Sequence, residues 1–338
     1  MILVTGGTGF LGSHLLMQLS EQGKKVRALK RPESDTAFVQ TLFSFYHKEH
    51  LFDCIEWIEG DILDIHSLLP AMKDCEQLYH CAASVGFSNK DTATLTKTNI
   101  QGTQNVVNAS LETGIKKMCH VSSIAVLGKE ALITDDTFWD AGEKHSAYAE
   151  SKYKAEQEVW RGVAEGLDIV VVRPSVIIGP WKQQGGIGVL FREIEKGLKF
   201  YTPGSTAYVD VNDVARAMIT LSDSTVKNDS FIVSAENMTY REIISMMAHI
   251  AGKPAPRWCA GRFLSGIAWR IFVLKDWLTR SDSGFNEITA EISQTTSLYS
   301  NKKLKDAIGF DYDPISDSLI NVYKFNNFCQ KKNHEKPV

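Results

Sequence analysis

The residues that decide the fold are Ile2-Leu3-Val4-Thr5-Gly6-Gly7-Thr8-Gly9-Phe10-Leu11-Gly12, at the start of the chain. Ile2-Leu3-Val4 reads as a strand and Leu11 to Ser20 as a helix, so the glycines fall where one passes into the other. Gly6, Gly9 and Gly12 allow a tight turn, a close approach of backbone to a pyrophosphate, and tight packing of helix on strand. The free N–H groups where the helix opens, at Thr8, Phe10 and Leu11, then face the phosphates. A glycine-rich turn with no ligand is the competing reading. Context favours the dinucleotide, because a second strand, Lys25 to Leu29, follows about 20 residues on, where the ribose-recognising residue belongs.

That residue should be acidic for NAD. Here the strand runs into Leu29-Lys30-Arg31-Pro32. A carboxylate would repel a 2′-phosphate, whereas Arg offers it a planar fork of charge-assisted donors. The expected cofactor is therefore NADP(H), with Arg31 as the main contact and Lys30 as the second. NAD(H) is the less favoured choice, and two solvated cations at a strand end are the bland alternative.

Outward from this stretch, short apolar runs alternate with segments of helical period. Cys54 to Ile58, Gln77 to Cys81, Lys117 to Val121 and Asp168 to Val172 continue the strands. Thr92 to Thr113 and Ser146 to Ala164 read as helices between them. Such a pattern predicts an α/β chain, a Rossmann-type doubly wound parallel sheet. Behind Arg173-Pro174 the rhythm changes. Helices are expected at Leu190 to Lys196, Asn212 to Leu221, Tyr240 to Ala251, Gly261 to Thr279 and Asn301 to Ala307, with strands at Tyr208-Val209 and Phe231-Ile232-Val233. The expected organisation is a cofactor domain over residues 1–175, completed by parts of 206–235. A smaller, mostly helical substrate domain takes 176–205 and 236–329, and 330–338 form a disordered tail.

The 338 residues carry 37 Lys and Arg against 40 Asp and Glu, with 43% hydrophobic residues. This balance leaves no basic footprint for nucleic acid, and the apolar share suffices for a sizeable core. The six cysteines include no Cys-x-x-Cys pair, and the nine histidines no metal-ligand spacing, so no metal is expected. The chain opens without a basic leader. Its long apolar stretch, Phe263 to Leu278, is broken by Arg270, Lys275 and Asp276, so a cytoplasmic protein with no transmembrane segment is expected.

Tyr148-Ala149-Glu150-Ser151-Lys152 sets a Tyr and a Lys four apart on one helical face. Many helices carry such a pair, so chemistry must supply the argument. Reducing a ketone at neutral pH needs a proton donor beside the carbonyl oxygen while hydride arrives at carbon. A phenol of ordinary pKa ~10 serves poorly unless a nearby cation stabilises the phenolate. Lys152 is expected to do so. Val121-Ser122-Ser123 ends a strand, where open α/β sheets place their ligands, and Ser123 would donate a second hydrogen bond to the substrate oxygen.

Together these motifs resemble the extended short-chain dehydrogenase/reductase superfamily, the NAD-dependent epimerase/dehydratase family. Further matching segments are Gly60-Asp61-Ile62-Leu63-Asp64, His80-Cys81-Ala82-Ala83, Asn99-Ile100-Gln101-Gly102-Thr103 and Tyr208-Val209-Asp210-Val211-Asn212-Asp213-Val214-Ala215. The resemblance implies that Ser123, Tyr148 and Lys152 form a catalytic triad. Asp61 and Ile62 would touch adenine, Ala82 and Ala83 would line the cofactor, and Pro174 with Val176 would flank the nicotinamide. Ser122 is carried with them, and Asn99 holds backbone near the site in such enzymes. Ile124-Ala125 stands where sugar-nucleotide dehydratases carry Asp-Glu. Arg173-Pro174 and Lys30-Arg31 look more like the dihydroflavonol-4-reductase-like and 3β-hydroxysteroid dehydrogenase-like branch. The implied activity is reduction of a small-molecule ketone or aldehyde, or oxidation of the alcohol. An NAD-dependent nucleotide-sugar epimerase and an NADP-binding sensor without turnover are the alternatives. The helices at 92–113 and 146–164 resemble those of family homodimers.

Other features divide between site and scaffold. Ala37 to Phe52 is aromatic-rich and reads as a helix with its stripe packed on the sheet. His80 reads as structural, and Asp135-Asp136 as a solvated loop face. Pro180 to Phe200 suits a flap over substrate or a structural loop equally. Trp258, Phe263, Trp269, Phe272 and Trp277 are expected to divide between core and pocket.

Overall fold

The structure, a computed structural model, describes residues 1–86, 92–182, 187–261 and 287–334. Strand β1 (Ile2–Thr5) is buried along its whole length and lies inside a seven-stranded sheet. Beside it come β2 (Val26–Lys30) and β3 (Ile55–Glu59) on one side. On the other side lie β4 (Gln77–His80), β5 (Lys117–Val121), β6 (Asp168–Pro174) and, after three strands outside this sheet, β10 (Asp229–Val233). Every pairing in this sheet is parallel. Near-continuous apolar strands such as Val170-Val171-Val172 require cover on both faces, and helices supply it.

On one face pack α1 (Phe10–Glu21), α2 (Ala37–Phe45), α3 (Glu49–Phe52) and, further along the chain, α9 (Val211–Asp223). On the other pack α4 (Ile65–Met72), α6 (Gly102–Thr113) and α7 (Ala147–Ala164). A short α5 (Thr92–Leu95) leads into this second layer. The chain runs β1, β2, β3 outward and then returns to lay β4 against the other side of β1. Between β1 and β4 lies the switch point, where such sheets bind ligands beyond their carboxyl ends.

The remaining strands are β7 (Val176–Ile178), β9 (Ser205–Asp210) and β11 (Glu236–Thr239), which form a three-stranded sheet, and β8 (Phe200–Tyr201) with β12 (Trp258–Cys259), which form a short pair. Helices α8 (Ile187–Glu195), α10 (Tyr240–Ile250) and Ile315–His334 bury Phe191, Met247, Leu319 and Val322 in a separate cluster against Ile178 and Tyr208. The fold is thus a Rossmann-type doubly wound sheet with a helical C-terminal region. The expected helix at Gly261 to Thr279, with Phe263, Trp269, Phe272 and Trp277, lies outside the described residues. Among the described residues no helix is long and apolar enough to cross a membrane.

Four expectations need correction. The helix expected over Thr92 to Thr113 is broken by a π-helical turn, Thr96–Gln101, a device that often sits at functional sites. The aromatic segment from Ala37 divides at His47, whose φ is +57°. Val39 and Phe43 reach the sheet-side core, but Phe38 and Phe45 turn to Phe325 of the C-terminal helix, at ring separations of 6.1 and 5.1 Å. That helix continues to His334, past the expected start of a disordered tail at Gln330. Phe328 packs on Phe45, and Gln330, Lys331 and Lys332 are good helix formers. Finally, Asp135 is buried, because its carboxylate accepts the N–H of Ile232 in β10.

Candidate active site

The glycine turn is shaped by contacts that leave no room for side chains. Gly6 has φ +71°, and a Cβ there would lie 2.7 Å from the Ala82 nitrogen. A Cβ on Gly12 would lie 2.2 Å from the Gly6 carbonyl oxygen. Gly9 caps α1 with no side-chain hydrogen bond, so the N–H groups of the first turn, at Phe10, Leu11 and Gly12, stay available to an anion. This cradle fits a dinucleotide pyrophosphate. Thr5 and His80 brace it from below: Thr5 Oγ1 meets His80 Nδ1 at 2.7 Å, and His80 Nε2 meets Thr103 Oγ1 at 3.1 Å. Burial and the Lys152 charge pull His80 down to about 3, so it is a neutral structural link, as read from the sequence.

After β3, Asp61 accepts the Leu63 N–H at 2.9 Å, and its own N–H donates to Ser67 Oγ at 3.0 Å. The Ile62 side chain is buried against Gly102. Lys30 pairs with Glu59 at 2.9 Å, and Arg31 pairs with Glu33 at 3.1 Å with 59% of its side chain exposed. Exposed pairs like the latter contribute about 0–1 kcal/mol. Trp181 packs on Phe10 at 5.4 Å and on Phe38 at 4.4 Å. Residues 183–186 of the expected flap segment, Pro180 to Phe200, lie outside the described residues.

The catalytic candidates meet above β5. Ser123 follows the strand in extended conformation and opens the 3-10 turn Ile124–Val126, its Oγ accepting the Ala125 N–H at 3.2 Å. Ser146 caps α7 by accepting the Ala149 N–H at 3.1 Å, which sets the helix start and so the place of Tyr148. Tyr148 is hydrogen-bonded to Ser123. Burial pushes its phenol up, and that bond offsets part of the shift. Lys152, one turn on and buried, donates to the Val121 carbonyl at 2.7 Å. Burial pulls its ammonium down to about 8 against the opposing pull of Glu156 and Cys81. Lys152 is thus held by the backbone of β5, one helical turn beyond Tyr148.

Of the other candidates, Ala82 is half-buried at the switch point and Ala83 exposed beside it. Pro174 is buried and Val176 exposed on the next strand. Thr8 lies partly exposed in the turn. Asn99 holds backbone: its Oδ1 accepts the Ser84 N–H at 2.7 Å and its Nδ2 donates to the Ser84 carbonyl at 3.0 Å. The Ser122 hydroxyl donates to Glu156 Oε2 at 2.6 Å. Sequence reasoning missed Glu156, although its place four residues past Lys152 put it on the same helical face.

Sheet topology, glycine cradle and the Ser123, Tyr148 and Lys152 cluster define the class, an NAD(P)-dependent oxidoreductase of the extended short-chain dehydrogenase/reductase type. The chain belongs to the NAD dependent epimerase/dehydratase family, whose model matches residues 2–234. It is 33% identical over 263 residues to "Putative dihydroflavonol 4-reductase" of Synechocystis sp., covering 75% of this chain and 73% of that one. It is 26% identical to cinnamoyl-CoA reductase 1 of Petunia hybrida, covering 99% and 93%. Among solved structures, gox2253 superposes with a TM-score of 0.82 at 26% identity and 99% coverage of both chains.

Proposed function

We propose that the protein reduces a ketone or aldehyde, or oxidises the corresponding alcohol, with NADP(H). The observation that carries this reading is the hydrogen bond between Tyr148 and Ser123, with Lys152 one helical turn further along the same face. When bound, the nicotinamide supplies or accepts the hydride. Tyr148 and Ser123 hold the substrate oxygen between their hydroxyls. In reduction Tyr148 gives its phenolic proton to that oxygen, and Ser123 donates a hydrogen bond as negative charge develops there. Lys152, a cation fixed beneath them, stabilises the phenolate that remains.

The turn of Gly6, Thr8, Gly9, Phe10, Leu11 and Gly12 binds the pyrophosphate. Asp61 and Ile62 face the adenine, Ala82 and Ala83 the ribose, and Pro174 and Val176 the nicotinamide. Arg31 takes the 2′-phosphate, with Lys30 beside it. Leaving Glu33 costs Arg31 at most about 1 kcal/mol, less than the about 1.5–3 kcal/mol of a hydrogen bond to a charged group. Residues 1–175 with parts of 206–235 hold the cofactor, and 176–205 with 236–329 shape the substrate pocket. The relatives named for dihydroflavonol and cinnamoyl-CoA reduction support the carbonyl class.

The test is a panel of aldehydes and ketones with NADPH or NADH, read by loss of reduced-nicotinamide absorbance, together with cofactor extraction from purified protein. NADPH-dependent turnover by protein that carries no cofactor supports the reading. Tightly retained NAD with no net oxidation of NADPH would point to an epimerase.

A further inference from the structure

The catalytic face of α7 continues beyond Lys152. Tyr148, Lys152 and Glu156 are spaced four apart, and Glu156 is 4% exposed. Its carboxylate accepts from Ser122 Oγ at 2.6 Å, from Trp160 Nε1 at 3.1 Å, and from Arg173 Nη2 at 2.5 Å and Nε at 3.2 Å. Arg173 also donates to the Asp135 carbonyl at 3.0 Å. Burial pushes the Glu156 carboxyl up, but the Arg173 bonds and charge, with the Ser122 and Trp160 donors, outweigh it and hold Glu156 ionised.

Two consequences follow. Ser122 and Arg173 stand directly before Ser123 and Pro174, so one carboxylate locks the ends of β5 and β6 where substrate oxygen and nicotinamide are to meet. The second consequence is electrostatic. The titratable groups around buried Lys152 are His80 of β4, Cys81 after it, His120 of β5, Arg173 of β6, and Tyr148 and Glu156 of α7. Burial keeps both histidines uncharged and pushes the Cys81 thiol up. Glu156 is therefore the anion of this group. A buried ion pair is seldom kept for stability, since apolar replacements of similar volume often serve as well.

We propose that Glu156 is a positioning residue of this active site: it aims Ser123 and Pro174 through Ser122 and Arg173, and supplies the buried negative charge that keeps Lys152 protonated. The inference rests on the reading of Lys152 as the active-site cation.

The experiment compares pH profiles of kcat for wild type, Glu156→Gln, Glu156→Asp and the double variant Glu156→Gln/Arg173→Met, each checked for fold by circular dichroism and for NADPH binding by fluorescence. The double variant removes the pair together and leaves no unpaired buried charge. Of the two neutral variants, Glu156→Gln is expected to move the alkaline limb down by about one pH unit, and the double variant by less, because it also removes the Arg173 cation. Their kcat should also fall about ten-fold, within the up to ~10²-fold cost of misplaced groups. Glu156→Asp, which keeps the charge, should hold the limb at its wild-type position. An unmoved limb in folded neutral variants overturns the proposal, as does loss of fold in Glu156→Asp and both neutral variants alike, which assigns Glu156 to the scaffold. Wild-type activity in Lys152→Met would instead overturn the reading of Lys152 itself.

Discussion

Asn99 Nδ2 donates to Ser151 Oγ at 2.9 Å, tying the π-helical turn to α7 between Tyr148 and Lys152. Ser151 Oγ in turn donates to the Tyr148 carbonyl at 2.8 Å. The same Asn99 clasps both backbone polar groups of Ser84, just beyond Ala82 and Ala83. One buried amide thus joins the loop after β4 to the helix that carries Tyr148.

Asn99→Ala should therefore weaken both fold and catalysis. Leaving a buried backbone group unpaired costs about 1–3 kcal/mol, so a lower urea midpoint and a fall of roughly ten-fold or more in kcat/KM are expected. Unchanged kinetics with lowered stability would confine Asn99 to the scaffold.

What was legible in the sequence was local. The glycine turn is a string of adjacent residues following a strand, and Tyr148 and Lys152 share one helix, so their spacing alone put them on one face. Alternating apolar strands and helices predicted the parallel sheet. The rest depends on partners far apart in the chain. Ser122 and Glu156 are 34 residues apart, Glu156 and Arg173 17, and Asp135 and Ile232 97. No periodicity announces that Asp135 is needed by the Ile232 N–H, so it read as solvated. The break of the aromatic segment at His47 and the docking of Phe45 on Phe325 likewise required the C-terminal helix to be in place. Lys152 was found, but its bond to the Val121 carbonyl was not.

Cofactor choice is tested at Arg31. Arg31→Ala removes the guanidinium fork while leaving the glycine cradle intact. Loss of about 1.5–3 kcal/mol should raise the NADPH KM by roughly 10- to 100-fold, with the NADH KM unchanged. Equal or better use of NADH by the wild-type protein would contradict the assignment.

Three buried histidines make stability depend on pH. His14, His80 and His120 are all held below their ordinary value, chiefly by burial, His80 at about 3. They are neutral when folded and protonate in the unfolded chain as pH falls through ~6.5. The unfolded state then binds more protons, so stability drops on acidification. Each such histidine contributes a loss of about 1.4 kcal/mol per pH unit between its unfolded pKa and its lower folded one. Urea midpoints measured downward from neutral pH should fall steadily, and a flat profile to pH 5 would show that these rings take up protons equally in the folded and the unfolded chain.

The central claim is that Tyr148 is the acid at the reacting oxygen, and Tyr148→Phe tests it most directly. The phenyl ring keeps the packing and removes only the hydroxyl that meets Ser123. With the best carbonyl substrate and NADPH, kcat should fall by about 10²- to 10⁴-fold, the usual contribution of a positioned proton donor, while NADPH binding stays at its wild-type value. Turnover near the wild-type rate in the folded, NADPH-binding variant would contradict the account.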